Sequence, residues 1–60
     1  MDPLRILIVD DEIELVSALR ERLELRGFEA EGVTSGAEAL ERLTTESWDV
    51  VLVDVKMRGL

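Results

Sequence analysis

Three aspartates stand where strands should end. Asp10 and Asp11 close the apolar run Ile6-Leu7-Ile8-Val9, and Asp54 closes the later run Val50-Val51-Leu52-Val53. Aliphatic runs without polar alternation read as strands covered on both faces, as in a parallel sheet. Two such strands, parallel and adjacent, bring all three carboxylates to one sheet edge, the edge where open α/β sheets place their ligands. Clustered carboxylates repel one another, so the site invites a divalent cation with oxygen ligands. The plainer alternatives are that Asp11 caps the helix that follows and that Asp54 is a solvated strand-end acid.

The rest of the composition narrows the chemistry. The chain has 60 residues, with 14 acidic against 7 basic side chains and a formal charge of -7. That length allows one small domain with a modest core. Cysteine and histidine are both absent, which removes disulfides, thiolate metal sites, the commonest transition-metal ligand and the commonest general base. The negative charge argues against direct contact with nucleic acid, which needs a basic patch. No apolar stretch is long enough to span a bilayer. Acids at Asp2 and Asp10 break any signal-peptide pattern. A cytoplasmic protein with no membrane contact is the expectation.

The elements that must position the acids alternate. Pro3 precedes the first strand, Arg5 to Val9. Glu12 to Arg26 reads as a helix, with Val16, Leu19 and Leu23 on its apolar face, Leu15 beside them, and Arg20, Glu21, Glu24 and Arg26 outward. Asp11 with Glu14 marks its start, and Gly27 ends it. Phe28 to Val33 is a second strand of edge type, weakened by Ala30 and Gly32 and alternating with Glu29 and Glu31. Ser35 and Glu38 form a capping box for a short helix to about Leu43, with Ala39, Leu40 and Leu43 inward. Thr44 to Ser47 reads as a turn. The third strand starts at Trp48 or Asp49, with Trp48 as packing, and ends near Asp54; Lys56 to Leu60 is loop. Strand–helix–strand–helix–strand with right-handed crossovers builds a doubly wound parallel α/β sheet. The amphipathic second strand belongs outside the two apolar ones, giving the order 2-1-3 and setting the acidic ends side by side.

With the acids so placed, the chain resembles the receiver domain of two-component response regulators, a flavodoxin-like fold. The matching words are Ile-Leu-Ile-Val-Asp-Asp-Glu at 6–12, Leu-Arg-Gly-Phe-Glu at 25–29, Thr-Ser-Gly-Ala-Glu-Ala-Leu at 34–40 and Trp-Asp-Val-Val-Leu-Val-Asp-Val-Lys-Met at 48–57. The resemblance covers residues 1–60 as the N-terminal half of such a domain, β1-α1-β2-α2-β3, without the βα units that complete it. It implies that Asp54 is the phosphoacceptor for a sensor histidine kinase. It further implies that Asp11, Asp54 and the backbone carbonyl of Lys56 bind Mg²⁺ or Mn²⁺, with Asp10 acting through a water. Physical chemistry agrees: a carboxylate can be the nucleophile, transfer depends on positioning and charge neutralisation, and Mg²⁺ prefers carboxylate, water and phosphate oxygens.

The chain departs from the family pattern in places. Arg58 stands where the family usually has Pro after the Met, and Ala30 and Val33 replace the usual Val and Ala. The family's hydroxyl residue at the end of its fourth strand, and its Lys at the end of its fifth, have no match in these residues. The expectation is therefore a receiver module, not an enzyme, with impaired phosphorylation. The alternative is a catalytically idle half-domain that dimerises through an exposed third strand as a homo-oligomer. A phosphohydrolase of the haloacid-dehalogenase type fits poorly, because Lys56 occupies the place of its second acid. Lys56 and Arg58 otherwise read as exposed loop charges, and Met57 as an apolar anchor of that loop.

Overall fold

The computed structural model describes residues 2–54. Five elements follow one another: β1 (Arg5–Val9), α1 (Ile13–Leu25), β2 (Glu29–Val33), α2 (Gly36–Thr45) and β3 (Val50–Val53). The strands form one parallel sheet in the order β2-β1-β3, as the apolar patterning predicts. In register, Leu7 lies between Glu31 and Val51, and Val9 between Val33 and Val53. β1 is central, and Leu7, Ile8 and Val9 are fully buried. Each such side chain contributes about 1.5–3 kcal/mol through its removal from water.

The alternation of β1 divides the core in two. Ile6 and Ile8 meet Val16 and Ala30 under α1, with Leu19, Leu23 and Phe28 packed at the margin. Leu7 and Val9 meet Val33 and Ala39 under α2, with Trp48 at the margin. Both helices lie mainly over β1 and β2. The four residues of β3 are consequently exposed, at 37–48% each.

Local chemistry sets the element ends. The N-cap of α1 is Glu12, which makes no side-chain cap bond, so the helix starts one residue later than the sequence suggests. At its other end the chain reverses through Gly27 at φ 91°, a conformation glycine adopts without steric cost. Gly27 N–H donates to the Glu24 carbonyl and Phe28 N–H to that of Leu23, satisfying two carbonyls of the last turn as a Schellman motif does. Ser35 caps α2 as the sequence suggests: Glu38 N–H donates to Ser35 Oγ at 3.2 Å, while the Glu38 carboxylate accepts from the Ser35 hydroxyl at 3.3 Å.

Four expectations need correction. Thr44 and Thr45 are helical rather than a turn; both hydroxyls donate to the Glu41 carbonyl at 2.9 Å, which holds them in the last turn of α2. Leu40 and Leu43 are exposed, because α2 seats on its smallest residues, Gly36 and Ala39, and the leucines fall outside that contact. Leu15 is exposed for a like reason, since Val16 is the residue of α1 that is buried. β3 begins at Val50 rather than at Trp48 or Asp49. Asp49 instead clamps the start of β1: its amide donates to the Arg5 carbonyl at 2.9 Å, and its carboxylate accepts from Arg5 N–H at 2.7 Å.

Candidate functional site

The parallel pairing of β1 with β3 delivers the three acids to one edge. Val9 pairs with Val53, so the residues just beyond, Asp10 and Asp54, emerge together. Asp54 N–H donates to the Val9 carbonyl at 3.0 Å, and Asp10 N–H to that of Val33 at 3.2 Å. These bonds fix the acids' backbone although both lie outside the strands proper. Carboxylate oxygens of Asp10, Asp11 and Asp54 all lie within 4.8 Å of one another.

The three acids differ in setting. Asp10 is buried, Asp11 exposed and Asp54 intermediate. The Asp10 carboxylate accepts from Glu12 N–H at 2.9 Å. That turn holds the loop into α1 and satisfies a buried charge. The bond closes an Asx turn onto the amide of the N-cap residue Glu12 and leaves α1 without a side-chain cap. Asp11 projects into solvent beside it. A cleft of about 260 Å³ adjoins Asp10 and Asp54, walled by Ile8, Val9, Leu19, Leu52 and Val53.

The donor set is all carboxylate, which suits Mg²⁺, Mn²⁺ or Ca²⁺ rather than a soft metal. Metal–oxygen bonds of roughly 2.0–2.6 Å let one cation reach oxygens up to about 4–5 Å apart, a limit that the 4.8 Å spread of these three carboxylates respects. The Lys56 carbonyl, the other ligand implied by resemblance, lies outside the described residues, as do Met57, Arg58 and the loop to Leu60.

At the opposite edge of the sheet is a second polar assembly that the sequence reading did not find. Arg5 at the start of β1 bonds Glu46 Oε1 at 2.8 Å and approaches Glu29 and Glu31. Arg42 contacts Glu46 Oε2 at 2.6 Å and Glu31 at 2.7 Å. The two guanidiniums lie 4.4 and 5.4 Å from the ring centre of Trp48, whose Nε1–H donates to the Arg42 carbonyl at 3.0 Å. Hydrogen bonds and charge from these glutamates raise both arginine pKa values, and bonds from Arg5, then Arg42, lower that of Glu46. The i,i+4 pair Arg42/Glu46 was a usable sequence signal. The Arg5 contacts required the register.

Comparison with known proteins gives a consistent set of relatives. A family profile for the response regulator receiver domain matches residues 6–60. A transcriptional regulatory protein CpxR homolog of Haemophilus influenzae is 49% identical over 56 residues, 93% of this chain and 24% of its own length. Transcriptional regulatory protein PrrA of Mycobacterium tuberculosis is 38% identical over 53 residues, 88% of this chain and 23% of its own. The alkaline phosphatase synthesis transcriptional regulatory protein PhoP of Bacillus subtilis is 38% identical over 56 residues, 93% and 23% respectively. The chain spans about a quarter of the length of these curated relatives. No solved structure matches it. Among the described residues, no helix is long and apolar enough to cross a membrane.

Proposed function

The chain belongs to the response regulator receiver domain family, and from that premise we propose that Asp54 accepts a phosphoryl group from a sensor histidine kinase in the cytoplasm. Supporting this reading above all is the convergence of the Asp10, Asp11 and Asp54 oxygens within 4.8 Å at the carboxyl ends of β1 and β3.

In the transfer, a carboxylate oxygen of Asp54 attacks phosphorus and an O–P bond forms. The bond from phosphorus to the donor breaks, and the leaving group keeps the electron pair. The donor is a phosphohistidine, or acetyl phosphate in a test. Asp11 and Asp54 would hold Mg²⁺ or Mn²⁺ directly, joined by the Lys56 carbonyl, with Asp10 acting through a water. The cation supplies neutralisation of charge on the phosphoryl oxygens. The protein's part is positioning. β1 and β3 hold the acids in register, and the Glu12 amide fixes the Asp10 carboxylate. In this reading the chain is an acceptor and not a turnover enzyme.

Intact-mass measurement after incubation with acetyl phosphate and Mg²⁺ tests the assignment. The expected result is one added phosphoryl group, not gained when chelator replaces Mg²⁺ and absent from Asp54→Asn. Label that persists in Asp54→Asn would overturn the site.

A further inference from the structure

On the reading of the acid cluster just given, we propose that Asp49, clasped by Arg5, is a positioning residue: it sets the register of β3 on β1 and so holds Asp54 beside Asp10 and Asp11.

The aliphatic run does not choose its own register. β3 is Val50-Val51-Leu52-Val53, aliphatic at every position. A strand whose faces differ in polarity is held in place by that difference, and this one has none to offer. Sliding it along β1 exchanges one aliphatic contact for another. The consequence falls at the acid site. Each residue of slip moves Asp54 by about 3.3 Å, and an odd slip turns its side chain to the other face of the sheet. Carboxylate oxygens of Asp10, Asp11 and Asp54 lie within 4.8 Å of one another, so a slip of one residue disperses them.

Asp49 supplies the marker that the run lacks. Its N–H donates to the Arg5 carbonyl at 2.9 Å, and its carboxylate accepts from Arg5 N–H at 2.7 Å. One residue thus meets both main-chain groups of Arg5, whereas the slanted bonds of a regular parallel ladder reach two different residues of the neighbouring strand. A slip of one residue would set Trp48 or Val50 at this place, and neither has a carboxylate to accept from the Arg5 amide. Bonds to an ionised acceptor are the stronger kind.

The Arg5 side chain fastens the rest of the connection. Between α2 and β3 run only Glu46, Ser47, Trp48 and Asp49. The guanidinium donates to Glu46 Oε1 and to the Ser47 carbonyl, each at 2.8 Å, and lies 4.4 Å from the centre of the Trp48 ring. Every residue of that connection therefore meets Arg5, the first residue of β1. Asp10 stands five residues beyond Arg5, and Asp54 five beyond Asp49. Equal lengths of chain, started level by the clasp, deliver both acids to the same edge about 17 Å away.

Disulfide trapping reads the register, because the chain has no cysteine of its own. Ile8 pairs with Leu52 across β1 and β3, and Ile6 with Ala30 across β1 and β2. Neighbouring strands lie about 4.8 Å apart, within disulfide reach. Ile8→Cys/Leu52→Cys reports the register of β3. Ile6→Cys/Ala30→Cys, in the same layer of the core, reports that the sheet is folded. Adding Asp49→Ala is expected to slow oxidation of the first pair at least fivefold and to leave the second within twofold. Asp49→Asn, which keeps an acceptor oxygen, is expected to restore the first. Equal slowing of both pairs assigns Asp49 to overall stability and overturns the proposal, as does slowing of neither. Mn²⁺ titration followed by electron paramagnetic resonance separates this outcome from the function: Asp49→Ala is expected to bind at least fivefold more weakly than the wild type. A wild type that binds no Mn²⁺ refutes the cation site, and the disulfide pairs still decide the register.

Discussion

Asp10 and Asp11 are adjacent in sequence yet opposite in environment, one buried and bonded to Glu12 N–H, the other in solvent. Burial commits Asp10 to structure, while exposure leaves the Asp11 position open to exchange with water and ions. Under the proposed function, a cation held here would offset the like charges of three carboxylates brought this close. Asp11→Asn is therefore expected to raise the melting temperature in the presence of chelator, since one negative charge leaves the cluster. With Mg²⁺ the order reverses. Cation at ten times its dissociation constant adds about 1.4 kcal/mol to the wild type, or roughly 5–10 °C for so small a domain. The variant gains less. Melting curves of both proteins in chelator and in Mg²⁺ check the crossover, and an equal metal shift in both would remove Asp11 from the site.

The packing of α1 on β2 includes one especially close approach, between Val16 and Gly32. A Cβ placed on Gly32 would overlap the Cγ1 methyl of Val16, and valine has few rotamers with which to yield. Gly32→Ala is expected to cost about 1–3 kcal/mol as overpacking. Val16→Ala should recover part of that loss in the double variant although it destabilises alone, and denaturant titration of the four proteins measures the coupling. From sequence, Gly32 read only as a weak strand residue, because the cause lies on a different element. β1 and β3 were legible from their aliphatic runs, β2 from its alternation with Glu29 and Glu31, and the order 2-1-3 from that polarity. Helix lengths and faces were less so. Thr44 and Thr45 looked like turn formers, and only their hydroxyl bonds to Glu41 reveal the helix. Leu40 and Leu43 satisfied the helical period, but periodicity cannot say whether anything covers the face it marks. The acid cluster was legible in composition and spacing. That Asp10 and not Asp11 would accept from Glu12 N–H was not, because both lie within reach of the same turn.

The whole molecule has two poles along the strand direction. One gathers the three aspartates; the other ties β1, β2, α2 and the approach to β3 through Arg5, Arg42, Glu46 and Trp48. The second pole makes stability depend on acid. Bonds from Arg5 and Arg42 hold the Glu46 carboxyl below the usual range. A depressed folded value means that the ion pairs stabilise fully above the ordinary glutamate value, and that this contribution is lost as the pH falls through the folded one. Glu46→Gln is expected to melt below the wild type at neutral pH, with the gap closing below about pH 4. Melting temperatures of both proteins across that range check it, and a gap that persists in acid would assign the loss to packing. The same pole fixes what light can report. The chain has one tryptophan and no tyrosine, so its near-ultraviolet absorption and emission come essentially from a single indole in contact with two guanidiniums. That indole lies roughly 20 Å from the aspartates along β3. Optically, the protein watches its own ion-pair knot and is blind to events at the opposite pole.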